Sequence, residues 1–147
     1  MDNVIFLDCD GVLNNATTQE VVEATGFIGV DTHNLLQLYR LVKKSQATIV
    51  LSSTWQNDPL MFEYLKVKLH HYQMKIVDVT HEKTIYRGAT IKKYIVEHCI
   101  RNYVILDDYP FEDFYTMRLD HHFVNTDFKY GLTSHDVTKA LEILKIS

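Results

Sequence analysis

The sequence predicts an α/β domain: a three-layer sandwich with a mostly parallel central sheet between helices. Three observations predict it. Short apolar runs rich in β-branched residues, Val4-Ile5-Phe6-Leu7, Thr48-Ile49-Val50-Leu51 and Tyr103-Val104-Ile105-Leu106, read as strands buried on both faces. They alternate with longer segments whose apolar residues recur at helical spacing. Polar groups follow each run at once: Asp8 and Asp10, Ser52 and Ser53, Asp107 and Asp108. Those groups sit at the carboxyl ends of the strands, where open parallel sheets bind ligands.

The first strand covers residues 3–8. An irregular insert over about 11–31 follows, then a helix over 32–45 whose inner face uses Leu35, Leu36, Leu38, Tyr39 and Val42. The second strand ends at Ser52-Ser53-Thr54-Trp55. Asp58 caps the next helix, with Pro59 at its first position and Met61, Phe62, Leu65 and Leu69 turned to the core. Lys75 to Val79 is a weaker third strand. Ile91, Tyr94, Ile95 and His98 mark the inner side of a helix beginning near Gly88. The fourth strand runs into Asp107, and His122-Phe123-Val124 is a short fifth. Thr133-Ser134-His135-Asp136 resembles a capping box and opens a final helix with Val137, Leu141 and Leu144 inward. Strands and helices alternating in this way give right-handed crossovers and a Rossmann-like sheet.

The chain has 147 residues, and its length fits one domain spanning 1–147. Apolar residues make up 46% and charged residues 23%, as in globular proteins. No apolar run approaches the ~18 residues a membrane span needs, so no membrane partner is expected. Asp2 and Asp8 interrupt any signal-peptide pattern, and only two cysteines are present. Together they predict reduced thiols in a cytoplasmic protein. A net charge of −4 argues against a broad electrostatic grip on nucleic acid, though not against a local basic patch.

If the two acidic strand ends are neighbours, four carboxylates come together. Unpaired charges there are costly, so the cluster calls for a cation, and hard oxygen ligands suit Mg²⁺. The eight histidines show no HExxH or zinc spacing. Cys9 alternates with Asp8 and Asp10 and reads as a small buried residue.

Asp8-Cys9-Asp10-Gly11-Val12-Leu13-Asn14 resembles the first motif of the haloacid-dehalogenase (HAD) superfamily phosphatases. Ile49-Val50-Leu51-Ser52 resembles the second, and Ile105-Leu106-Asp107-Asp108 the fourth. The chain is most similar to the small HAD domain of Swiss-army-knife RNA-repair proteins. Ser52-Ser53-Thr54-Trp55, Arg87-Gly88-Ala89-Thr90-Ile91, Asn125-Thr126-Asp127 and Gly131-Leu132-Thr133 carry that closer likeness. The resemblance implies a HAD-like fold and a Mg²⁺-dependent phosphomonoester hydrolase that works through an aspartyl-phosphate. In it Asp8 is the nucleophile and a metal ligand. Asp10 is the acid/base, and its main-chain carbonyl is a further ligand.

The chemistry asks for the same parts. A phosphate ester needs an attacking oxygen, positive charge against the phosphoryl group and a proton for the leaving alcohol. Carboxylates such as Asp8 can form aspartyl-phosphates. Continued strand geometry would point Asp10 to the same side as Asp8, and Gly11 suits a sharp turn after it. Asp107 is a metal ligand; Asp108 is either a second ligand or an outer acceptor for metal-bound water. Ser52, or Ser53 beside it, hydrogen-bonds a phosphoryl oxygen. The resemblance implies a Lys or Arg that holds the phosphoryl group, and its Arg87-Gly88-Ala89-Thr90-Ile91 signature favours Arg87. A helix start favours anions there and a bidentate grip is possible, but spacing alone leaves Lys92 and Lys83 open as alternatives. Asn14 is either an orienting group for the loop or a turn residue, and Asp127 reads as an Asx-type turn. Trp55 reads as a core or lid aromatic.

The insert over 11–31 and the stretch 54–87 are too short for a full cap domain. Gly26 and Gly29 allow only a short flap. Such an open site admits bulky substrates, including nucleotides, nucleic-acid phosphate ends and phosphoproteins, and Phe27, Trp55, Tyr86 and Tyr109 would stack a base if they lined one mouth. Two alternatives remain: phosphotransfer on the same scaffold, and a catalytically silent metal- and phosphate-binding module.

Overall fold

A computed structural model describes residues 1–146. Five strands, β1 (Asn3–Leu7), β2 (Thr48–Leu51), β3 (Ile76–Val79), β4 (Asn102–Asp107) and β5 (Phe123–Asn125), form one sheet in the order β3-β2-β1-β4-β5. Every pairing is parallel. The helices are α1 (Thr32–Ser45), α2 (Pro59–His70), α3 (Arg87–Glu97), α4 (Glu112–Thr116) and α5 (Ser134–Ile143).

Strand alternation divides the core into two layers. Ile5, Leu7, Ile49, Leu51, Val104 and Leu106 face one cluster, shared with Leu38 of α1, Leu65 of α2 and Val137 of α5. Val4, Phe6, Val50, Tyr103 and Ile105 face the other, shared with Ile91 and Tyr94 of α3 and Phe114 of α4. Each such burial contributes about 1.5–3 kcal/mol. The predicted three-layer α/β sandwich is therefore the observed one.

Helix ends follow their local chemistry. Asp58 accepts from the Leu60 and Met61 N–H groups with Pro59 at the first position, and Thr133 and Asp136 form a full capping box. Three inward assignments are corrected. Leu36 is 41% exposed, because Leu35, Leu38 and Leu41 already define the buried stripe of α1 and Leu36 lies about 100° or more around the helix from each of them. Phe62 is half-buried under Lys66. His98 closes α3 and is exposed, its ring stacked 3.9 Å from Tyr94.

The insert carries a short antiparallel bridge, Val21 to Ile28, turned at Gly26 with φ +74°. It is fastened to α2. The Val30 N–H donates to the Tyr64 hydroxyl at 2.9 Å, Tyr64 bonds Glu20, and Lys68 pairs with Glu20 at 2.9 Å. Among the described residues the insert adds this hairpin and no helix of its own. No described helix is long and apolar enough to cross a membrane.

Candidate active site

The strand order reverses direction at β1: β2 and β3 extend to one side and β4 and β5 to the other. The crevice at that switch point is where open α/β sheets place ligands. Leu7 pairs with Leu106, and the Asp8 N–H donates to the Leu106 carbonyl at 3.0 Å. Register alone therefore brings Asp8 beside Asp107.

Between them stands Arg87, the first residue of α3. Its Nη1 donates to Asp107 Oδ2 at 2.9 Å and lies 3.0 Å from Asp8 Oδ1. Its Nε and Nη2 form a fork on the carboxylate of Glu82, at 2.8 and 3.3 Å. All four side chains are buried. Burial disfavours the guanidinium charge, but Glu82, Asp8 and Asp107 outweigh it and hold the Arg87 pKa above its ordinary value. Glu82 takes the Nε–Nη2 side of the fork, and Nη1 is the nitrogen turned to Asp8 and Asp107. Glu82 itself carries no sequence signal: it lies in an irregular segment before α3.

The start of α3 is not an open anion site either. The Gly88 and Ala89 N–H groups both donate to the carboxylate of Asp113, at 2.9 Å each. A Cβ on Gly88 would run into that carboxylate. Asp113 supplies the negative charge that a helix start favours.

Asp108 sits half-buried beside this group. A Cβ on Gly11 would collide with its side chain, and Gly11 has φ +79°, so glycine is required there on two counts. Oxygens of Asp8, Asp107 and Asp108 all lie within 4.8 Å of one another. Burial, then the charge of Asp107, pushes Asp8 well above the usual carboxylate range, while Arg87 pulls it back. Burial and Asp107 likewise raise Asp108 to about 6. Counting Glu82, four acids meet one guanidinium. Oxygens around a small divalent ion stand about 3–4 Å apart, so this all-oxygen, charge-deficient set fits a hard divalent cation.

Asp10 is placed differently from the continued-strand expectation. β1 stops at Leu7, and the chain turns back so that the Val12 and Leu13 N–H groups both donate to the Cys9 carbonyl. The Asp10 side chain stands outside the grouped oxygens. Its Oδ1 accepts from Asn14 Nδ2 at 3.0 Å and its Oδ2 from the Trp55 indole at 3.2 Å. Asn14 also accepts from the Gly11 N–H at 2.8 Å and donates to the Gly29 carbonyl at 3.0 Å, so it orients the loop. Trp55 is buried and is a partner of Asp10. Sequence reasoning missed that bond because it joins two loops far apart in the chain.

Ser52 and Ser53 part company. Ser53 Oγ accepts from the Trp55 N–H and caps the 3-10 turn Thr54–Asn57. Ser52 Oγ is fully buried with no hydrogen-bond partner among the described residues. A buried orphan hydroxyl costs about 1–3 kcal/mol, which a ligand oxygen would recover. Lys92 lies five residues beyond Arg87, about 140° around α3, half-buried and outside the Arg87 ion-pair group. Lys83 is exposed and lines a cleft with Asp78, His81 and His98.

The four aromatic residues do not share one mouth. Trp55 and Phe27 line a cavity with Asp10, whereas Tyr86 and Tyr109 line a separate one with Phe111. Asp127 accepts the Lys129 N–H on its own side chain, an Asx turn before Gly131. Cys9 is buried in the layer opposite Asp8, and burial, followed by the charge of Asp8, raises its thiol pKa. Both cysteines are free.

The doubly wound sheet, the DxDG turn at its switch point and the acidic end of β4 define a HAD-like α/β domain. The chain belongs to the family described as the HAD domain in Swiss Army Knife RNA repair proteins, which it matches over residues 4–137. It is similar to a solved structure described as a HAD family hydrolase from Streptomyces avermitilis MA-4680, at 12% identity and a TM-score of 0.47, over 95% of this chain and 72% of that one. Comparison with curated proteins gives no match. Membership of the HAD class supports a hydrolase-type function.

Proposed function

We propose that residues 1–147 act as a single-domain, Mg²⁺-dependent phosphomonoesterase, located in the cytoplasm, that works through an aspartyl-phosphate on Asp8. The observation that carries this reading is the Arg87 Nη1 held 3.0 Å from Asp8 Oδ1 beside Asp107 and Asp108. Asp8, Asp107, Asp108 and the Asp10 carbonyl would hold Mg²⁺, which when bound supplies positive charge against the phosphoryl oxygens.

The remaining roles belong to the chain's own side chains. Asp8 attacks phosphorus, and the alcohol oxygen departs as the new P–O bond forms. Arg87 keeps the attacking carboxylate in place and meets charge on the transferred group with a cation fixed by Glu82. Ser52 donates its hydroxyl to a phosphoryl oxygen, which explains a fully buried Oγ without a partner. Asp10 gives its proton to the departing oxygen and then takes one from the water that hydrolyses the intermediate. Ser53 supports the turn behind Ser52, and Lys92 is at most a distant charge.

The family's place in RNA repair, and an insert that among the described residues is only a short hairpin, favour nucleotides or nucleic-acid phosphate ends as substrates. The test compares turnover of a mononucleotide, a 3'-phosphorylated oligonucleotide and a phosphopeptide by wild type and Asp8→Asn, with Mg²⁺ present. Hydrolysis of the nucleotide substrates that vanishes in Asp8→Asn is expected. Consumption of the peptide alone removes the nucleic-acid reading. Mg²⁺ binding with no hydrolysis of any phosphoester removes the enzyme reading and leaves a binding module.

A further inference from the structure

Resting on the acid/base role of Asp10 just proposed, we infer that Trp55 and Asn14 are positioning residues that aim the Asp10 carboxylate into the cavity beside it, the seat of the substrate's leaving alcohol.

Asp10 is the exposed member of the acidic set, yet its carboxylate is not free to turn. One oxygen accepts from Asn14 at 3.0 Å and the other from the Trp55 indole at 3.2 Å. Two donors from opposite sides fix the rotation of the carboxyl plane. Both donors are themselves fixed. Asn14 is buried and makes two further bonds, to the Gly11 N–H and the Gly29 carbonyl. Trp55 is 6% exposed, and its ring meets Tyr64 edge-on at 6.3 Å.

The clamped carboxylate forms one wall of a cavity of about 350 Å³, with Phe27 and Ile28 of the hairpin, Trp55, and Met61 of α2 on the others. Asp10 is the member of the acidic site that lines it. Phe27 and Ile28 are 58% and 42% exposed, so the cavity presents apolar surface to an incoming group. The hairpin that carries them is tied to α2 through Tyr64, Lys68 and Glu20, so the wall is preformed.

In the step at issue, the phosphoryl group leaves the alcohol oxygen for Asp8 while the Asp10 proton passes to that departing oxygen. The alcohol must therefore lie within hydrogen-bond reach of Asp10, on the cavity side. A carboxyl group misplaced by about 1 Å loses on the order of 10²-fold in rate. The two bonds that set its aim therefore carry part of the rate that the carboxyl group supplies.

The chain has one tryptophan, which makes the test selective. Trp55→Phe keeps a ring and removes the N–H. Incorporating a benzothiophene analogue of tryptophan replaces the N–H with sulfur at nearly constant volume and separates the bond from packing. Both are compared with wild type in kcat/KM, which reports expulsion of the alcohol, on p-nitrophenyl phosphate and on an alkyl phosphate. The nitrophenolate leaves without a proton and the alkoxide does not. The inference predicts a loss of about tenfold or more on the alkyl ester and about twofold or less on the aryl ester, with unchanged melting temperature in the analogue. The single indole N–H resonance shifts in Asp10→Ala. Equal losses on both esters, or no loss, or an indole resonance indifferent to residue 10, overturns the inference while the phosphatase reading stands. If wild type hydrolyses neither ester, both fall together.

Discussion

Glu82 grips Arg87 through two of its nitrogens, at 2.8 and 3.3 Å, and turns the remaining nitrogen towards Asp8 and Asp107. The acid that fixes the cation is thus outside the motifs that mark the site, and the cation is aimed by a carboxylate rather than by its helix alone.

Replacing Glu82 with Gln keeps the shape and removes the charge. Arg87 stays paired with Asp8 and Asp107, so the cost is that of charge-assisted hydrogen bonds, about 1.5–3 kcal/mol, rather than of an unpaired buried cation. We expect that loss in chemical denaturation and at least a tenfold fall in kcat/KM for an aryl phosphate. Unchanged turnover in a folded Glu82→Gln variant would mean that the guanidinium needs no second anchor.

Gly11→Ala acts on the acidic cluster of Asp8, Asp107 and Asp108. The added methyl meets Asp108, and φ +79° costs about 1–2 kcal/mol for a non-glycine residue. Calorimetry is expected to show Mg²⁺ affinity reduced by about tenfold or more, with a smaller effect on the fold than on the ion.

Asp113→Ala removes the cap of α3. Gly88 and Ala89 then lose their acceptor, at about 0.5–2 kcal/mol. Melting temperature should fall. Activity should fall too, since the same turn starts at Arg87. Asp113→Asn is expected to recover part of both.

The pH dependence follows from the raised carboxylates. Asp108 has a folded pKa of about 6 against an ordinary value of 3.8, and Asp8 is raised as well. Between those values the folded chain holds more protons than the unfolded one, so the metal-free protein loses stability as pH rises from about 4 to 6 and keeps that cost above it. A divalent ion that binds the ionised cluster reverses the cost. Thermal unfolding with and without Mg²⁺ should therefore show a small stabilisation at pH 5 and a larger one at pH 7.5. A stabilisation that shrinks as pH rises contradicts the shared ion.

Much of this was legible in the sequence for local reasons. Two-sided burial makes β1, β2 and β4 continuous apolar runs, and each cap sits next to the helix it starts. Asp8 and Asp107 could be paired because both follow such runs. The one-turn helix α4 was not legible, being too short to show a period, nor were the exposure of Leu36 and His98 and the half-burial of Phe62, since residue type alone does not fix which side of a helix meets the sheet. Asp113 on α3 and Trp55 on Asp10 escaped for a different reason: each joins segments whose contact is made only by the tertiary fold. Glu82 lies only five residues before Arg87, but in an irregular segment with no period to aim it.

The central claim is that Asp8 carries the phosphoryl group during turnover. The most direct measurement is acid quenching of the Mg²⁺-loaded protein with a ³²P-labelled phosphomonoester, followed by peptide mapping. The account predicts hydroxylamine-labile label on the peptide containing Asp8, absent in Asp8→Asn. Label on another residue, or an enzyme that turns over and never carries label under any quench, would contradict it.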